Sequence, residues 1–202
     1  MPAVGIVGVV SREAMVGFGY KNAWLAIRDG EPQKVIGALG LRDLGLVPWR
    51  NAADLAYLTD DRLLVTPPLP GAASAHWVLV AGRWLLGGQA SVDVPRLSTL
   101  LHTEVQAFAT HRTIELHSWQ RAVGGTVVRA FQYLGESGEV EEWWGEPDQT
   151  ELSVGLPPAI EESMTVLVGE HDVMRVAGGW SIDPSSLDGR PAPGLPRAAA
   201  AD

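Results

Sequence analysis

The chain contains no cysteine. That absence excludes a disulfide scaffold, a thiol nucleophile, iron-sulfur ligation and every zinc site built on cysteine, and it suits a reducing compartment. Lysine is nearly missing as well: Lys21 and Lys34 stand against 13 arginines. Long apolar runs are absent. The longest, His76 to Leu86, is broken by Gly82 and Arg83, while Val4 to Val10 has no positive residue ahead of it and stops at Arg12 and Glu13. Neither is long enough or correctly flanked for a membrane span or a signal peptide, so the expectation is a cytoplasmic protein with no membrane partner. No basic stripe of the kind a phosphate backbone requires is present, which disfavours nucleic acid. Gly-x-Ser-x-Gly and Gly-Lys-Ser/Thr motifs are missing, and GIVGVV at Gly5 lacks the third glycine and the following helix of a dinucleotide fingerprint. Serine hydrolases and nucleotide enzymes therefore leave the first rank.

What is there is 202 residues, 46% hydrophobic and 19% charged, the composition of an ordinary globular protein. One domain is expected over residues 1–187. Residues 188–202, rich in Pro, Gly and Ala with no packable period, are expected to form a disordered tail. The net charge of −9 is unevenly placed. Glu136 to Asp172 holds eleven acids and no Lys or Arg, whereas the rest of the chain has 15 bases against 13 acids. Such a run is most often a solvated face, and in its sharper meaning a docking face for a basic partner.

The periodicity predicts α+β architecture, with a twisted, mostly antiparallel sheet and three or four short helices on one face. Strands are expected at 22–28, 62–66, 105–111, 113–123 and 126–134, with two more forming a hairpin within 76–86. Helices are expected at 31–41, with Pro32 at its first position, at 49–58, and at 94–102, where Asp93 caps and Pro95 follows. Glu136 to Glu151 reads as an acidic loop, MTVLV near Met164 as a strand, and EHDVMRVAGGW as a helix with Val173, Val176 and Ala177 inward. Gly124-Gly125 is a strong two-residue hairpin cue. Counting from those loop residues, Phe131 and Tyr133 come opposite Ser118 and Leu116 on an apolar side, and Ala130, Gln132 and Leu134 flank Trp119, His117 and Glu115.

Three of the five histidines fall in HTEVQAFATHRTIELHSW. Glu115 and His117, two apart on one strand face, form a candidate acid/base pair, with His111 and Arg112 as further candidate catalytic residues, because histidine titrates near neutrality and a neighbouring carboxylate raises its pKa. His102 or His111 on the same face would resemble the ligand set of a cupin-like barrel. The order does not match that pattern and no His-Glu-x-x-His helix exists, so neither a metal nor a cofactor is expected. A solvent-facing hairpin side is the plainer meaning of the cluster.

Eight tryptophans are many for this length. Trp24, Trp77, Trp84 and Trp180 sit in apolar runs and read as core. Trp143-Trp144 sits among acids, so each indole is either pinned to the body or exposed as an anchor for a basic ligand. The segment from Val105 to Glu151 carries His111-Arg112, His117-x-Trp119, Val128-Arg129-Ala130-Phe131, Gly135-Glu136 with Gly138-Glu139, and Gly145-Glu146-Pro147. As a whole it resembles a stretch found in an uncharacterised family of α+β proteins from high-GC, actinobacterial-like bacteria. The resemblance spans Ala23 to Leu187 and implies no established activity.

Two functions follow as expectations. The first is a non-enzymatic interaction protein, such as an immunity-like or accessory factor, that binds a basic protein or peptide through Trp143, Trp144, Glu141, Glu142 and Glu146. The alternative is a small secondary-metabolism enzyme, a cyclase, isomerase or hydrolase, that uses the Glu115/His117 pair in an apolar pocket.

Overall fold

A computed structural model describes residues 13–87, 92–135, 139–160 and 166–201. The Val4 to Val10 stretch, the Gly5 loop and Met164-Thr165 of the expected MTVLV strand lie outside them, and residues 166–168 are not in a strand. Among the described residues the elements are β1 (Ala23–Arg28), α1 (Pro32–Ala38), β2 (Arg42–Leu46), α2 (Trp49–Leu58), β3 (Arg62–Val65), β4 (Leu69–Pro70), β5 (His76–Ala81), α3 (Val94–Leu101), β6 (Val105–His111), β7 (Leu116–Val123), β8 (Thr126–Leu134), β9 (Glu139–Trp144), α4 (Gln149–Ser153), α5 (Glu170–Trp180) and β10 (Arg197–Ala200). The fold is α+β: a twisted antiparallel sheet in the order β2-β10-β3-β5-β1-β6-β7-β8-β9, with β4 attached to β5 and no closure into a barrel.

β1 lies near the sheet centre and is buried along almost its whole length. Its side chains alternate between two cores: Trp24 and Ala26 join one, Leu25 and Ile27 the other. A sheet that is apolar on both sides needs cover on both. α2 and α5 supply it on the first side through Trp49, Ala52, Val173, Met174 and Val176, and α1 and α3 on the second through Val35, Ile36, Val94 and Leu97. The helices therefore divide between the faces, where the sequence pattern placed them on one.

The helix at Trp49–Leu58 and the α3 cap follow the sequence reading, with Asp93 Oδ1 accepting the Arg96 N–H at 2.9 Å. The expected hairpin in 76–86 is instead the single strand β5 followed by a 3₁₀ turn at Arg83–Leu86. The chain leaves the sheet at Gly82, where a side-chain Cβ would come within 2.7 Å of the Arg62 carbonyl oxygen.

The stretch expected to be disordered supplies β10, which pairs with β2 on one side and β3 on the other. Ala198, Ala199 and Ala200 are fully buried there. Alanine carries little hydrophobic signal, yet a strand bonded on both sides is held by its backbone, and small side chains fit between packed neighbours. The acidic loop expected before Glu151 likewise contains β9, the last strand on its side of the sheet.

Gly124 and Gly125 form the predicted two-residue loop, with φ of +57° and +85° and Val123 paired to Thr126. A bulge between Arg121 and Ala122 then slips the register by one residue. Trp119 faces Phe131 and His117 faces Tyr133, so the side expected to be polar is the core side, and the assignment of Phe131 and Tyr133 to Ser118 and Leu116 is corrected. One result is an aromatic row across five strands, Trp24, Phe108, Trp119, Phe131 and Trp143, each the cross-strand partner of the next. The rings of Trp119 and Phe131 stack at 4.4 Å, and Phe131 meets Trp143 edge-on at 6.0 Å.

Candidate functional site

The four candidate catalytic residues separate in space. His117 is buried on the core side of β7, whereas Glu115 is exposed in the β6–β7 turn at φ +46°. Arg112 is exposed in the same turn. His111, next to inward-facing Thr110 on β6, projects to the opposite face, and its Nδ1 has no hydrogen-bond partner among the described residues. The expected Glu115/His117 pair is therefore not formed as a hydrogen-bonded unit.

His117 finds other partners. Its Nδ1 lies 3.1 Å from Thr110 Oγ1, and that hydroxyl lies 3.2 Å from Glu170 Oε1 at the start of α5. The carboxylate can only accept, so the threonine hydroxyl donates to Glu170 and accepts from the imidazole Nδ1–H. Glu170 Oε1 also accepts the Lys21 N–H at 3.1 Å, and nearby Tyr57 accepts the Gly19 N–H while donating to the Tyr20 carbonyl. Burial pushes the His117 imidazole below its ordinary value, against an upward pull from Glu170, Glu115 and Asp172. Burial likewise pushes the Tyr57 phenol up. The cluster pins residues 19–21 to α2 and α5.

The described acids of the acidic segment divide into two groups. Asp148, Glu151, Glu170 and Asp172 are structural. Asp148 caps α4, and its Oδ2 accepts the Trp180 indole N–H at 2.7 Å. Asp172 accepts the Gly169 N–H at the start of α5. Glu151 is wholly buried: its Oε1 accepts from Trp119 Nε1 and from Arg129 Nε, both at 2.7 Å, and its Oε2 accepts the Asp148 N–H. Arg129 donates onward to the carbonyls of Ala130, Trp144 and Gly145, and its guanidinium lies 4.3 Å from the centre of the Trp143 ring. This network ties β9 and the turn after it to the body of the sheet.

The second group is Glu139, Glu141, Glu142 and Glu146, all exposed on β9 and the turn after it. The tandem tryptophans take one fate each. Trp143 is pinned over Arg129 and Phe131, so it does not serve as a free anchor, while Trp144 is 60% exposed with its indole N–H on the Val127 carbonyl. Glu141 falls at a second bulge, between the Gln132–Glu142 and Tyr133–Val140 pairs, and accepts a hydrogen bond from Gln132 Nε2 at 3.0 Å.

Sequence reasoning missed Arg129, Glu151, Thr110 and Glu170. Asp148-x-x-Glu151 has capping-box spacing and was a readable signal for α4. Among the described residues, no group of three or more His, Asp or Glu is placed to hold a metal ion. Nor is any helix among them long and apolar enough to cross a membrane. No family model, curated protein or solved structure matches the chain.

Proposed function

We propose that the protein is a non-enzymatic binding protein that holds a basic segment of a partner protein or peptide against β9. The observation that carries this reading is Trp144, exposed among Glu139, Glu141, Glu142 and Glu146 on a strand at the sheet's margin. An edge strand offers a row of backbone donors and acceptors to an added strand, an exposed indole supplies contact area at low entropy cost, and carboxylates around it select cations. The Arg129–Glu151 network keeps this margin in place before any partner arrives, which lowers the ordering cost of binding. An anionic surface of this kind repels nucleic acid, and a cysteine-free chain works in a reducing cytoplasm.

The test is a titration with a ten-residue peptide of alternating arginine and threonine, followed by tryptophan fluorescence at about 0.05 M and about 0.3 M salt, where screening lengths differ about twofold. Affinity falls at the higher salt and falls again in a variant with Glu139, Glu141, Glu142 and Glu146 changed to Gln. Binding indifferent to both changes rejects the proposal.

A further inference from the structure

Behind the aromatic row, on the opposite face of β1 and β6 to β9, lies a groove of about 240 Å³. Its floor follows from the register. One position away from the aromatics, the chain runs Ala23, Ala109, Ser118, Gln132 and Glu142, each the cross-strand partner of the next from β1 to β9. The floor is low because its first three side chains are small. α3 packs beside Val105 and Ala122 through Leu97, and its first residue, Val94, borders the groove.

Polarity changes in one direction along the groove. At the β1 end Leu25, Leu85, Val92 and Val94 form an apolar wall. In the middle Ser118, Gln120 and Gln132 offer hydroxyl and amide groups, and the Gln132 Nε2 donates to Glu141 at 3.0 Å. Glu142 closes the far end as the one charged residue among the described lining. The described lining residues include no cation to neutralise it, and the chain as a whole carries −9. A cavity of this size sits just below the range that encloses drug-sized ligands.

We infer that the groove is a binding site for a small amphipathic cation, a primary amine or guanidine with an apolar body of roughly ten heavy atoms, a size set by the sub-drug-sized cavity. The body lies over Ala109 and Ala23 toward Leu25 and Val94, and the cationic head meets Gln132 and Glu142. Both ends are needed: apolar burial supplies attraction and the carboxylate supplies orientation. The site shares Glu142 with the β9 margin but differs from it in its floor, which is side chains of the sheet face and not the free backbone of the edge.

The probe is 4-phenylbutylamine, with 4-phenylbutan-1-ol as its neutral counterpart, each titrated into the isotope-labelled protein and followed by amide shifts. With eleven heavy atoms at the efficiency of drug-sized ligands, Kd is about 4 mM. Shifts are expected at Ala109, Ser118, Gln132 and Glu142. The amine binds roughly threefold tighter than the alcohol, the gain an exposed ion pair gives. Glu142→Gln removes that difference, and Ser118→Phe, which fills the floor, abolishes binding of both. If Ser118→Phe proves unfolded by its spectrum, Ala109→Leu makes the same test. Absence of saturable shifts on the floor, equal binding of amine and alcohol, or full binding by the filled variant overturns the inference.

Discussion

Arg129 Nε lies 2.7 Å from Glu151 Oε1, and both side chains are withdrawn from water, at 4% and 0% exposure. The pair joins a strand to the helix that follows the acidic margin. Removing Glu151 leaves the Arg129 guanidinium buried and uncompensated, and it leaves the Trp119 indole N–H without its acceptor. Glu151→Ala should destabilise the protein by about 3–5 kcal/mol. Urea unfolding measures it, and a loss under about 1 kcal/mol would show the pair to be solvated in practice.

Trp144 should separate binding from folding. Its ring is mostly in water, so Trp144→Ala should change stability by less than about 1 kcal/mol. Affinity for the arginine–threonine peptide should drop by about tenfold or more, as for a central aromatic anchor. Equal affinity of variant and parent would remove the indole from the docking reading.

His117 should make stability fall in mild acid. Burial holds its pKa below the ordinary value of about 6.5, so the unfolded chain takes up the proton first. The stabilisation is therefore complete above about pH 6.5 and is lost as pH falls through the lower folded value. Urea midpoints at about pH 7.5 and about pH 5.5 bracket the start of that window. His117→Phe should flatten the slope between them, whatever it does to absolute stability. An unaltered slope would assign the acid sensitivity to other groups.

Ala199 tests β10. Its side chain is fully buried in the core shared with Val35, Leu63 and Val80. Ala199→Glu would place a carboxylate among these apolar groups without a partner, at a cost of several kcal/mol. A large fall in melting temperature is expected. A melting curve superimposable on that of the parent would mean that residues 197–200 contribute nothing to the sheet.

The parts of the fold legible in the sequence were those with local causes. Gly124-Gly125 declared the hairpin, Asp93 and Pro95 declared the start of α3, and the spacing of Val173, Val176 and Ala177 declared the buried side of α5. The inverted face of β7 had a cause that pattern reading does not register: one unpaired residue in a bulge moves every later side chain across the sheet. Alanine-rich β10 and acid-rich β9 were missed because backbone pairing, and not side-chain character, places them. At the site, Trp143-Trp144 and the exposed glutamates were visible as chemistry, but which indole would be pinned depended on Arg129 and Glu151, 22 residues apart. Glu170, which replaces Glu115 in the His117 cluster, is 60 residues from Thr110. Such partners meet only through the fold.

The placement of β10 also sets an order of events in time. It is inserted between two strands that lie more than 130 residues earlier in the chain. Until residue 200 has been synthesised, β2 has no strand to lie beside and β3 keeps one side open. β1, β5, β6, β7 and β8 need nothing so distant and can assemble first. Long-range pairing of this kind slows folding and leaves an unpaired strand exposed meanwhile. On the ribosome, the half of the sheet built on β1, β5, β6, β7 and β8 therefore waits for its other half, with β3 as the surface most open to wrong pairing in the interval.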